Sequence, residues 1–296
     1  MRADLKIAIG IATAGRKEIL TESLRELAKQ TRLPDKVFIC PITTADFDET
    51  SALDLPFSVL VVTGPRGLPA QRNAILRAAR DYTILVFIDD DFFCLPSYLA
   101  ELERCFLARS DIVAITGRVI ADGVTGSGMD VTSARAALAA FTPPGDSPLI
   151  EIYNLYGCNM ALRLSAVYAN GVNFDENLPL YGWLEDVDFS RQLAPFGKII
   201  RNQRMIGVHL GSKGGRGSGI RTGYSQIANP LYLWRKGTLR LDRALVQICR
   251  NILANYAKLL RPEPWVDRRG RALGNALGFR DLIRGRLHPK GILDLS

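Results

Sequence analysis

The stretch Thr83-Ile84-Leu85-Val86-Phe87-Ile88-Asp89-Asp90-Asp91 decides the fold. Its apolar run is too short for a buried helix and predicts a strand covered on both faces, and it leads directly into three adjacent carboxylates. Working outward, residues 5–12 (LKIAIGIA) form a similar run that enters the polar loop Thr13-Ala14-Gly15-Arg16. Residues 36–40 and 57–62 predict two more strands, stopped by Pro41 and by Gly64-Pro65. Residues 18–29 carry Leu20, Leu24, Leu27 and Ala28 at helical spacing. Residues 69–79 predict a helix with Pro69 near its first turn, where a missing N–H costs nothing. Pro96 opens another helix with Leu99, Leu102 and Phe106 on one face, and residues 111–119 predict a fifth strand. Short apolar strands alternating with helices imply an α/β fold, a Rossmann-like, mainly parallel sheet flanked by helices. Such sheets bind ligands beyond the carboxyl ends of their strands, where Thr13 and the Asp triplet fall.

Further along, residues 120–148 show no clear period and read as a long, partly mobile loop. Sheet-like patterning resumes at 149–156 and 159–162. Residues 184–195 read as a helix, 198–209 as a final strand, 211–219 as a flexible basic loop, and the remainder as helices to about residue 285.

Bulk composition narrows the class. A chain of 296 residues, 47% hydrophobic and 23% charged, can bury a sizeable core without covalent staples. No stretch approaches the ~20 apolar residues of a spanning helix, and Met1-Arg2-Ala3-Asp4 is no signal peptide. Five scattered cysteines, with no CxxC spacing, predict buried free thiols in a reducing cytoplasm. Residues 1–200 hold 19 Lys and Arg against 25 Asp and Glu, whereas residues 201–296 hold 19 against 5. A basic tail on an acidic body predicts an anionic partner.

Three segments carry the chemistry. Adjacent acids at the end of a buried strand repel one another unless a cation neutralises them, and oxygen donors of this type suit Mg²⁺ or Mn²⁺ with phosphate. A solvated acidic turn that complements a helix dipole is the structural alternative. Trp183-Leu184-Glu185-Asp186-Val187-Asp188 places acids in a first helical turn after the aromatic loop Tyr181-Gly182-Trp183. Capping alone explains such acids, but a carboxylate held there can also take a proton from an attacking hydroxyl. His209 ends the last strand, and the loop beyond it carries Lys213 and Arg216, which suit a departing diphosphate.

The order strand-DDD, YGWLEDVD, strand-His resembles the GT-A-fold glycosyltransferases, in particular the inverting family 2, over residues 5 to 212. The resemblance implies a DxD motif in which Asp89 and Asp91 are the two acids and Asp91 is the direct metal ligand. It implies that Glu185-Asp186 is the ED motif, with Asp186 the catalytic base, and that Tyr181 and Trp183 border the acceptor. Gly67-Leu68-Pro69-Ala70-Gln71-Arg72-Asn73 matches the segment whose Arg-Asn pair lies near the nucleotide. Thr13 matches the contact to base or ribose, Arg16 and Asp90 fall within the same donor region, and Asn173-Phe174-Asp175-Glu176 matches the "FDE" before the ED motif. His209 matches a third metal ligand or a diphosphate contact. One departure stands out: the aspartate that relatives carry after the second strand is absent from Cys40-Pro41-Ile42-Thr43-Thr44, with no acid before Asp46. The base of the donor is therefore open.

The implied function is metal-dependent transfer of a sugar from a nucleotide-sugar donor to a glycan or polyprenyl-linked saccharide. A GT-A catalytic domain at 1–220 and a basic helical extension at 221–296 follow. For the extension two readings stand: a cap with a solvated basic face, or a peripheral contact with an anionic membrane surface. Nucleic acid is not expected, since no helix-turn-helix, RNP-like or zinc pattern occurs. A sugar-phosphate nucleotidyltransferase is the rival enzyme, but it would need a glycine-rich basic loop where this chain has only residues 12–16.

Overall fold

The apolar runs at 5–12 and 83–88 lie side by side as parallel neighbours at the centre of one sheet. The computed structural model describes residues 5–145, 147–213 and 218–295. Their strands are β1 (Ile7–Thr13), β2 (Lys36–Pro41), β3 (Val59–Val61), β4 (Ile84–Ile88), β5 (Phe92–Cys94), β6 (Ile112–Asp122), β7 (Ile150–Glu151), β8 (Asn159–Arg163) and β9 (Lys198–His209). Their helices are α1 (Lys17–Leu27), α2 (Leu68–Ala78), α3 (Tyr98–Ala108), α4 (Val131–Ala139), α5 (Leu164–Ala169), α6 (Glu185–Leu193), α7 (Gly219–Lys236), α8 (Leu241–Ala257) and α9 (Arg268–Ile283).

The sheet runs β3-β2-β1-β4-β8-β6-β9-β5, with β7 pairing β9. β1–β4, β6 and β9 share one direction, while β5, β7 and β8 oppose it, so the expected mainly parallel α/β sheet is present. The two-residue side-chain period sorts the core. Ile7, Ile9 and Ile11 of β1 and Ile84, Val86 and Ile88 of β4 meet Leu20 and Leu24 of α1 and Leu99 and Leu102 of α3. Ala8, Leu85 and Phe87 face the other way, onto Ile75 and Leu76 of α2, Val167 of α5 and Phe189 of α6. Each such fully buried large side chain stabilises the fold by roughly 1.5–3 kcal/mol.

Three local expectations need correction. The region 120–148 is not one loop: β6 continues to Asp122 and α4 occupies Val131–Ala139, capped by the Asp130 carboxylate on Ser133 N–H. Alanine-rich α4 shows little periodicity because it buries only Ala134 and Leu138. A short strand, β5, also follows the Asp triplet directly, and its pairing with β9 is antiparallel. Finally, Cys40, Cys94, Cys105 and Cys158 are buried free thiols as expected, but Cys249 is exposed.

Helices α7 and α8 pack against α6 and the loop before it, and α9 packs on α7 and α8. Leu233, Leu239 and Ala244 join Leu178 and Val187, Asn229 donates to the Trp183 carbonyl (2.7 Å), and Lys236 pairs with Asp175 and Asp188 (2.7 Å each). α7 and α9 touch through glycine. A Cβ at Gly223 would run into the Arg271 backbone, and one at Gly274 into the Ile220 carbonyl.

Candidate active site

Strand pairing assembles the acids. β1 has β2 on one side and β4 on the other, which makes the carboxyl ends of β1 and β4 the switch point where α/β sheets bind ligands. At that edge Thr13 is buried and its hydroxyl donates to Asp90 Oδ2 (2.7 Å). Arg16, just before α1, spans Asp90 Oδ1 (2.9 Å) and Asp91 Oδ2 (3.2 Å). Asp91 Oδ2 also accepts from the Ser212 N–H (2.8 Å). Burial pushes Asp90 up to about 7, against the pull of Arg16. Asp91 is held well below the carboxylate range, because His209, Arg16 and the Ser212 N–H outweigh the effect of burial. Two adjacent acids therefore titrate far apart, and the charge is concentrated on Asp91.

β9 delivers the histidine. The antiparallel register sets His209 opposite Phe92, next to Asp91, and the parallel register with β6 sets it beside Asp122. Glycine makes this approach feasible: a Cβ at Gly207 would enter the Phe92 ring. His209 Nε2 lies 3.3 Å from Asp91 Oδ1 and 3.8 Å from Asp89 Oδ2, and Nδ1 lies 3.1 Å from Asp122 Oδ1. Tyr156 donates to the other Asp122 oxygen (2.5 Å). Burial opposes charge on His209, but Asp122 and Asp91 prevail and push it up to about 10. Asp89, Asp91 and His209 offer one ligand atom each within 4.8 Å of one another. Asp91 Oδ1 is buried and accepts no hydrogen bond. Two carboxylates and an imidazole around an unsatisfied oxygen form a donor set that fits Mn²⁺ or Mg²⁺. Asp122, held by Tyr156, has the place of the outer carboxylate that orients a metal-binding histidine.

The second pair of acids is joined to this cluster by one arginine. Arg72 of α2 is 2% exposed and bonds Glu185 of α6, Asp89 (3.0 Å) and the Gly157 carbonyl (2.7 Å). Its guanidinium lies over the Phe87 and Phe174 rings at 5.6 and 5.5 Å. Burial pushes Glu185 up to about 8 even against Arg72, with Asp186 adding to the rise. Half-buried Asp186 is raised too, mainly by burial, and accepts from the Gly157 N–H (3.1 Å) and the Val187 N–H (2.8 Å). The Gly157-Cys158 turn thus ties both acid pairs together, since the Cys158 carbonyl accepts from Asp89 N–H (3.1 Å).

The loop before α6 is held in an unusual conformation. Leu180 (φ 59°) and Leu184 (φ 72°), both non-glycine, bracket Tyr181-Gly182-Trp183 in the left-handed region. Such residues cost on the order of 1–3 kcal/mol each and cluster at ligand sites. Tyr181 is 64% exposed, which suits a contact to a ligand outside the sheet.

Other residues singled out from sequence fall elsewhere. Asn73 holds Phe174 through both its N–H and its carbonyl (2.9 Å each) and reaches Glu176, so its amide braces the FDE segment. Lys213 donates to the Gly123 and Val124 carbonyls, and Arg216 lies outside the described residues. Asp46 is saturated by Gly15 N–H, Thr43 N–H and the Thr43 hydroxyl, and does not replace the missing base-contacting aspartate. The sequence reading gives Asp122, Tyr156 and Gly157 no part in the metal or acid site. The signal for Asp122 is an aspartate at the end of a strand, and the apolar pattern of that strand fades at residue 119.

Known proteins share the fold that positions these residues. A glycosyltransferase of Bacillus subtilis (strain 168), named uncharacterized glycosyltransferase YwdF, is 30% identical over 112 residues, 36% of this chain and 42% of its own length. Among solved structures, S. aureus TarS 1–349 in complex with UDP-GlcNAc aligns with a TM-score of 0.57 at 14% identity, over 95% of this chain and 93% of that one. Mannosyltransferase PcManGT from Pyrobaculum calidifontis, in complex with GDP-Man and Mn²⁺, aligns with a TM-score of 0.55 at 15% identity, over 98% and 85%. The chain spans under half of YwdF and 46% of the longer TarS chain. At these identities the structures speak for the GT-A fold alone. The sequence model of glycosyl transferase family 2 matches residues 8–170, from β1 through the Asp triplet to the end of α5, and with the acids of that span gathered at the switch point of its sheet, the chain belongs to that family.

Proposed function

We propose that this chain transfers a sugar from a nucleotide-sugar donor to a hydroxyl of a glycan or lipid-linked saccharide, with inversion at the anomeric carbon and Mn²⁺ or Mg²⁺ as cofactor. The observation that carries this reading is Asp91 Oδ1, buried without a hydrogen bond and flanked by Asp89 and His209, with the Gly157-Cys158 turn linking Asp89 to Asp186. Asp89, Asp91 and His209 would hold the ion, which supplies positive charge against a departing diphosphate. Arg16 adds positive charge beside Asp91 and is held in place by Asp90, and the basic loop after His209, with Lys213 and Arg216 in its sequence, is assigned to the same diphosphate. Asp186 takes the proton of the acceptor hydroxyl, and burial, by raising its pKa, makes it a stronger base than a solvated aspartate. Glu185 and Arg72 position that turn of α6, and Tyr181 and Trp183 border the acceptor. Thr13 acts through Asp90, and Asn73 through the FDE segment, on the same donor pocket. Residues 1–220 form the catalytic unit in this reading. We assign the reaction to cell-envelope or exopolysaccharide assembly, at the cytoplasmic side of the membrane.

Calorimetric titration of UDP, GDP and dTDP, with Mn²⁺ and then with EDTA, tests the donor site and names the base. Metal-dependent binding of one nucleotide, lost in Asp91→Ala, supports the reading; a folded protein that binds none of the three refutes it. Inversion is read from the anomeric configuration of the product by NMR.

A further inference from the structure

Helix α8 has two apolar faces, and only one of them is packed. Ala244, Ile248 and Asn255 are buried against the rest of the protein. Leu241, Leu245, Cys249, Leu253 and Tyr256, with half-buried Ile252 among them, fall within roughly 120° of arc on a helix of 3.6 residues per turn, which takes in one charge, Asp242 of the first turn, paired with Arg240. Leu253 is 68% exposed, and Leu260 just beyond the helix is 93% exposed. α8 meets α9 at its last turn, where Asn255 donates to Asn275 (2.9 Å) and accepts from Arg268 (2.9 Å). Gly274 and Gly278 of α9 lie on α7, and Leu273, Phe279 and Ile283 of the same helix are exposed, the last 86%. Exposed apolar side chains in this number mark an interaction surface.

Charge selects the occupant. Residues 241–296 hold eleven Lys and Arg against five Asp and Glu. Arg250 borders the α8 stripe, and Arg269 and Arg284 alternate with the apolar residues of α9; none of the three has a carboxylate within 4.0 Å among the described residues. A second copy of this chain would bring these cations face to face with their equivalents, which is unfavourable. An anionic bilayer satisfies both features, since the apolar face enters the acyl boundary while arginines meet lipid phosphates. Half-exposed Trp265, in the turn between the helices, is a side chain suited to that boundary.

We infer that the outer face of the α8–α9 hairpin is a docking surface for an anionic lipid bilayer, lying parallel to it with Leu253, Leu260 and Ile283 inserted. This stands apart from the transfer reaction, and its test requires no substrate. The full chain is floated with phosphatidylcholine vesicles with and without one quarter phosphatidylglycerol, at low and high salt. Binding is expected to the anionic vesicles alone and to weaken with salt. Leu253→Asn with Leu260→Asn should reduce it more than tenfold, and Arg250→Gln or Arg269→Gln by about fivefold each. An unchanged melting temperature shows that these exposed positions leave the fold intact. The proposal is overturned by absence of binding to anionic vesicles, or by binding that the leucine variants leave unchanged. It is equally overturned by a stable dimer that those variants dissociate, or by RNA binding as tight as vesicle binding.

Discussion

Replacing Arg72 by methionine should destabilise the protein by about 3–5 kcal/mol near pH 9, where Glu185 is ionised in the parent, because it strips that buried acid of its counter-charge. Met keeps an unbranched apolar stem but is shorter, and it lacks the guanidinium that lies over Phe87 and Phe174. What is lost is the guanidinium shared by Glu185, Asp89 and the Gly157 carbonyl. Glu185 is 4% exposed and its Oε2 already lacks a partner, so the variant leaves neither oxygen satisfied. For a chain of this size the loss corresponds to a drop on the order of 10 °C in Tm. Glu185 sits at about 8 when folded, above its ordinary value of 4.5, so folded protein binds the extra proton and stability falls as pH rises between those values. Without Arg72 the folded value moves higher still, and the fall continues above pH 8. The gap between Arg72→Met and the parent should therefore widen from near pH 7 to near pH 9. In an Glu185→Gln background most of the widening should vanish. Urea unfolding followed by circular dichroism measures all four proteins. A variant within about 0.5 kcal/mol of the parent, or a gap indifferent to Glu185→Gln, would refute the reasoning.

Asp186→Asn should lower transfer by about 10²–10⁴-fold while leaving nucleotide affinity intact, measured by product formation beside calorimetry. Because Asp186 is raised above its ordinary range, the rate should climb with pH through a value above about 4, as the carboxyl loses its proton, and that limb should disappear in the asparagine variant. Asp122→Asn should weaken Mn²⁺ binding about 10–100-fold, since His209 exchanges a charged acceptor that orients its ring for a weaker neutral one; titration monitored by electron paramagnetic resonance of free Mn²⁺ reads this without turnover. Gly207→Ala should cost more than about 1 kcal/mol and disturb the same metal affinity, because the new methyl group pushes Phe92, and with it the Asp91–His209 register, out of place.

Much of this protein can be read along one line of residues. Runs such as Ile84–Ile88 and Lys198–His209 declare their strands because apolar period and length are local properties, and Asp89–Asp91, Glu185 and Asp186 stand at strand and helix ends that the same periods locate. The basic balance of residues 201–296 is likewise a matter of composition. Tertiary structure decided which of these groups meet. His209 reaches Asp91 through the β5–β9 register, and Asp122 joins them only because β6 runs past the point where its pattern fades. Arg72 bridges residues 17 and 113 positions away in the chain. That the second apolar face of α8 points outward was equally hidden, since a helical stripe shows that a face is apolar but not whether anything covers it. Pairing across a sheet and the choice of packed face depend on contacts between distant segments, whose energies no local pattern contains.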